Sequence, residues 1–216
     1  MTSLVLFKNL APEHFKDFKA NGKVLLSSLK RLREKEGTGR DELEGIKSIQ
    51  LHPTKPKAYK TNEIANLFPA NISIEGGYFH SAAGSKVNIG TQLPEAYILC
   101  TSIHRIKDYG DAFYQILDVH RFGKVLLDSL RVHDPKVFRG TFGRVAYGGM
   151  KDPIEDLDNT FKQNYSGKNV NFEDYYCKPS SFSSEGEYRY VFFTLTDHIE
   201  DKKIIECMEL VTLCSF

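Results

Sequence analysis

The sequence predicts an α+β fold, with twisted mixed or antiparallel β-sheets carrying peripheral helices, and residues 1–216 forming one domain. Strand-like runs recur from end to end, sustained helical spacing is rare, and no repeat, low-complexity tract or linker divides the chain.

Residues 4–7 read as a short strand. Pro12 then suits a first helical turn, Ala11, Phe15 and Phe18 share one face, and Gly22 ends the helix. Residues 23–28 make a second strand, and residues 29–33 open a helical turn that Gly37 and Gly39 break. Ile46, Ile49 and Leu51 mark a returning strand, while Pro53 and Pro56 confine residues 52–57 to a loop or an edge. Residues 72–75 and 86–89 are expected to pair as a long hairpin with Tyr78 and Phe79 near its middle. Residues 96–101 form an apolar strand, and residues 114–119 a further strand feeding a helix through Phe122, Val125, Leu126 and Leu130 to Pro135. Residues 137–147 read as a strand pair or a bent strand, and residues 151–171 as a short helix with an exposed loop. Two final strands, 188–193 and 204–211, are expected to pair.

Composition narrows the function classes. Lys and Arg total 29 against 28 Asp and Glu, so no whole-molecule field draws in nucleic acid or an anionic membrane. The basic bunch of Lys23, Lys30, Arg31, Arg33 and Lys35 reads as a solvated face. Four cysteines without C-x-x-C spacing are reduced thiols of a cytoplasmic protein, and the apolar run at the start is too short for a signal peptide or a membrane span. Seven histidines include no helical i, i+4 pair, which predicts no metal site, and the glycine-bearing stretches lack a P-loop or dinucleotide fingerprint.

Three constellations could carry chemistry. In Glu185-Gly186-Glu187 an extended backbone would point both acids the same way, so that one is held at a useful pKa while the other orients a ligand hydroxyl. Cys100-Thr101-Ser102 ends an apolar strand, where a hydroxyl can meet a ligand. Arg40-Asp41-Glu42-Leu43-Glu44-Gly45 is either an exposed charged turn or a source of a guanidinium fork for an anion.

Taken in order, R-D-x-x-E-G, C-x-S and E-x-E-Y-R resemble the motifs of a widespread bacterial and phage family met near defence genes. The last two also resemble those of ADP-ribosyltransferases of the Arg-Ser-Glu class. That resemblance implies an ADP-ribosyltransferase-like fold, NAD as substrate, and a protein or nucleic-acid acceptor in bacterial or phage conflict. Glu187 would stabilise the oxocarbenium-like ribosyl centre, Glu185 would orient or deprotonate the acceptor, and Thr101, Ser102 and Arg189 would line the NAD site. Lys8 ends the first strand, and Arg40 stands in for the class arginine. A rival alignment places Tyr78, with His52 upstream, on the tyrosine strand of the His-Tyr-Glu class. Outside the resemblance stand two alternatives: a metal-dependent nuclease built from Asp41, Glu44, Glu185 and Glu187, and a non-catalytic module that binds a nucleotide or a protein.

Overall fold

A computed structural model describes residues 4–34, 46–51, 57–60, 78–81, 87–106, 108, 110–147, 154–157, 175–196 and 198–216. The chain packs as two compact units: residues 1–44, 95–162 and 176–216 form the first, and residues 45–94 and 163–175 the second.

The first unit opens with β1 (Leu6–Leu10) and α1 (Pro12–Asn21). Proline at the first helical position loses no intrahelical bond, and Gly22 closes the helix at φ 63° with its N–H on the Phe18 carbonyl. Strand β2 (Lys23–Ser28) runs directly into α2 (Leu29–Glu34), where Ser28 Oγ accepts the Arg31 N–H. In the second unit β3 (Ile46–Leu51) pairs antiparallel with β6 (Val87–Gln92), and β4 (Lys57–Lys60) with β5 (Tyr78–Ser81). Thus the described partner of β6 is β3, and residues 72–75 lie outside the described residues.

Back in the first unit, β7 (Ala96–Ser102) and β8 (Ala112–Ile116) precede α3 (Val119–His133), which the Asp118 carboxylate caps by accepting the Arg121 N–H. The chain continues through β9 (Val137–Arg144), β10 (Ala146–Tyr147), β11 (Ile154–Asp156) and β12 (Cys177–Lys178). A 3-10 helix (Ser180–Glu185), β13 (Glu187–Thr194), β14 (Lys202–Glu206), α4 (Met208–Thr212) and β15 (Cys214–Ser215) complete it.

The main sheet has the order β11-β9-β13-β7-β1-β8-β15, with β2 joining β7 and β14 joining β2. Its ladders are antiparallel, so the expected α+β class with twisted antiparallel sheet and peripheral helices holds. On one edge of β7, β2 pairs at Tyr97 and Ile98 and β1 pairs at Ser102. The two partners leave the stretch between them open. The amphipathic α3 covers the sheet with Phe122, Leu126, Leu127 and Leu130, and α1 adds Phe18, stacked on Tyr114 at 4.0 Å between ring centroids.

Three expectations are corrected. Residues 154–156 form the edge strand β11 on β9, because their alternate positions complete a ladder that a helix could not. The two final strand-like runs do not pair: β13 sits between β7 and β9, and β14 lies on β2. Residues 208–212 then turn helical, burying Leu210.

Gly22 is the joint where α1 turns into β2. A Cβ there would strike the Cys207 carbonyl, and φ 63° already disfavours one. Gly22→Ala is expected to lower stability by about 1–3 kcal/mol, read from urea unfolding; a change within about 0.5 kcal/mol would contradict this packing.

Candidate functional site

The opening between β1 and β2 is a cavity of about 400 Å³, inside the usual span of small-molecule sites of roughly 300–1,000 Å³. Its floor is the uncovered edge of β7 from Ile98 to Ser102. Antiparallel alternation turns Ile98, Cys100 and Ser102 toward that edge, where β2 and β1 take the outer two. The Cys100 carbonyl is left between them, and Lys8 Nζ donates to it at 2.7 Å. Lys8 therefore sits within β1, which runs on to Leu10, and its ammonium spans the gap.

Register aligns the charged end of the cavity. Phe7 of β1 pairs with Ser102 of β7, and Ser102 pairs with Glu187 of β13. This register sets the Phe7, Ser102 and Glu187 side chains on one face of the sheet. Lys8, one residue along, leaves β1 on the other face and reaches the same cavity through the gap at the Cys100 carbonyl, with Thr101, Lys178, Glu185 and Arg189 also lining it. Ser102 Oγ donates to the His104 carbonyl and Thr101 Oγ1 to that of Tyr188, so both hydroxyls fix the end of β7.

The acids do not continue one extended backbone. Glu185 ends the 3-10 helix and Gly186 is left-handed at φ 51° and ψ 42°, a conformation glycine adopts without strain. A Cβ at Gly186 would also press on His104 and Ile103. The kink nevertheless brings both carboxylates to one cation, because Lys178 Nζ lies 2.8 Å from Glu185 Oε2 and 2.8 Å from Glu187 Oε2.

Arg189 completes the cluster, its Nε donating to Glu187 Oε1 at 2.7 Å. Glu187 is 4% exposed and Arg189 1%. Burial raises the Glu187 carboxyl pKa, but the Arg189 guanidinium and the Lys178 ammonium outweigh it and hold the group well below the usual carboxylate range. Glu187 is thus a buried anion with two buried counter-ions. Burial and the Glu187 charge push the Cys100 thiol up to about 12, leaving it an inert neutral neighbour. From below, the Tyr147 phenol accepts the Glu187 N–H at 2.9 Å, and burial raises its own pKa.

Of the residues singled out in the sequence, Glu185, Glu187, Arg189, Thr101 and Ser102 line this cavity. Tyr78 belongs to β5 of the second unit, and Arg40, Asp41, Glu44 and His52 lie outside the described residues. Lys178 and Tyr147 were not anticipated. A lone lysine before Pro179 carries no periodic signal, and only its place between the two acids reveals it. That ammonium fills the gap a divalent ion would need between Glu185 and Glu187. No helix among the described residues is long and apolar enough to cross a membrane.

Compared with known proteins, the chain matches no family model, no curated protein and no solved structure.

A carboxyl whose pKa is lowered by folding stabilises the fold above its unfolded range, near 4.3, and that contribution is lost as pH falls toward the folded value. Stability should therefore drop between about pH 5 and about pH 3 in urea unfolding, and Glu187→Gln should flatten this limb. An acid limb identical in the two proteins would contradict the charge assignment. Arg189→Leu, which takes one of the two counter-ions from the buried carboxylate, is expected to cost about 3–5 kcal/mol in the same assay.

Proposed function

We infer that the cavity binds NAD and that the protein is an ADP-ribosyltransferase-like enzyme passing ADP-ribose to a protein or nucleic-acid acceptor. The observation that supports this reading is that Ser102 and Glu187, paired across β7 and β13, share the lining of one cavity with Lys8 of β1. A basic group on the first strand, a serine strand and a glutamate strand are the parts that the Arg-Ser-Glu resemblance calls for, with Lys8 in place of arginine.

In the proposed reaction the glycosidic C–N bond of NAD breaks and nicotinamide leaves with the bonding pair. Positive charge develops on the ribose carbon, the acceptor lone pair then bonds to that carbon, and the acceptor proton departs. Glu187 is ionised and fixed, as a group that stabilises developing positive charge must be. To accept a ribose hydroxyl, Glu187 Oε2 must exchange Lys178 for the substrate. Glu185 makes that exchange feasible, because it shares the same ammonium at the same distance and keeps it compensated. With Lys178 retained as its counter-ion, Glu185 would take the acceptor proton as the new bond forms.

A second reading has its own support. Arg189 and Lys178 already engage both oxygens of Glu187, which suits a structural anion in a module that binds a nucleotide or protein without turnover.

Incubation of the purified protein with NAD and quantitation of free nicotinamide separates the two. For the enzyme, Glu187→Gln should cut release by about a hundredfold or more while circular dichroism stays that of the parent. No release from the wild-type protein with any protein or nucleic-acid acceptor, together with altered nucleotide affinity in the variant, would favour the binding module.

A further inference from the structure

The cavity has a second end, and its chemistry differs from that around Glu187. Ile204 of β14 and Leu25 of β2 are direct cross-strand partners, both line the cavity, and they remain 50% and 38% exposed. On β2 the buried Val24 and Leu26 face the core, so alternation turns Lys23, Leu25 and Ser27 outward. Leu32 of α2 lines the same end, and Ile98 floors it. An aliphatic shelf at the wall of a cavity is a surface against which a flat apolar group can bury its own area.

Charge identifies what that covering group is attached to. Arg31 lines this end from α2, and Lys8 lies on the β1 side. Lys23 is committed to Asp17 at 3.2 Å. A guanidinium presents a planar fork of donors suited to a diphosphate, next to a shelf suited to a ring. Between shelf and acid cluster runs the β7 edge, so one ligand can reach from one to the other.

Resting on the NAD reading above, we propose that the Leu25–Ile204 shelf with Leu32 is the subsite for the purine ring of the nucleotide, and that Arg31 holds its diphosphate. The reacting ribose then points along β7 toward Ser102 and Glu187. The site accordingly takes purine dinucleotides in preference to ribosyl donors that lack the base.

ADP is the direct probe, because it carries ring and diphosphate but cannot undergo transfer. Titration calorimetry should show ADP binding to the wild-type protein and binding weakened about tenfold or more by Ile204→Glu or Leu25→Glu. Arg31→Ala should weaken ADP by a similar factor and adenosine far less. Ribose 5-phosphate, which lacks the ring, should bind the wild type and Ile204→Glu equally. Because both apolar residues are exposed, the variants should keep the parent circular dichroism spectrum. Equal ADP affinity in wild type and Ile204→Glu would overturn the proposal, as would failure of the wild type to bind ADP. Nicotinamide release reports separately on the transfer reading. Release without ADP binding sinks the shelf alone, whereas shelf-dependent ADP binding without release upholds the shelf and sinks transfer.

Discussion

Backbone groups cannot be left bare inside a protein, and β7 must satisfy those on an edge that two strands share. With β2 at Ile98 and β1 at Ser102, the Cys100 carbonyl between them has no strand to meet and takes the Lys8 ammonium instead. The same divergence that creates this need creates the cavity. A continuous partner along β7 would satisfy the edge and abolish the site, so the placement of a cation within β1 is part of how the opening is tolerated.

Across β7 the problem is charge. A carboxylate in low dielectric costs several kcal/mol unless compensated, and Glu187 has Arg189 two residues along its own strand and Lys178 from the short strand β12. Truncating a member of such a cluster is costly, because it leaves a buried ion, whereas Glu187→Gln keeps an oxygen for the Arg189 Nε–H. It also couples the site to the fold: the acid that would act on a ligand is held by groups whose first task is to keep β13 in place.

Two strands of the site, β2 and β7, were legible because they are compact apolar runs, whereas β1, read over residues 4–7, runs from Leu6 to Leu10 through the polar Lys8 and Asn9. The β2 reading has the bounds observed, and the β7 reading falls short by Ser102 alone. Pairing was not legible. Nothing local to residues 202–206 says that they join residues 23–28, since the choice depends on which edge is free after the chain has come together. Local geometry at Glu185-Gly186-Glu187 was misjudged for a related reason. An extended tripeptide and a left-handed kink are both open to glycine, and the kink is the one bonded in place, with the Gly186 carbonyl accepting the distant Ile103 N–H. Lys178 joins the acids through tertiary structure alone, so no periodicity could announce it.

The late arrival of β14 on β2 has a temporal meaning. A ribosome emits β1 and β2 well before β13 and β14, so the shelf lacks Ile204 until residues 202–206 have been made, and the acid cluster lacks Glu187 until shortly before. Contacts between such distant parts of a sequence form slowly and late. The cavity is therefore closed only when residues 202–206 have joined residues 23–28, and a nascent polypeptide shorter than that, whatever the ligand concentration around it, has no complete site to fill.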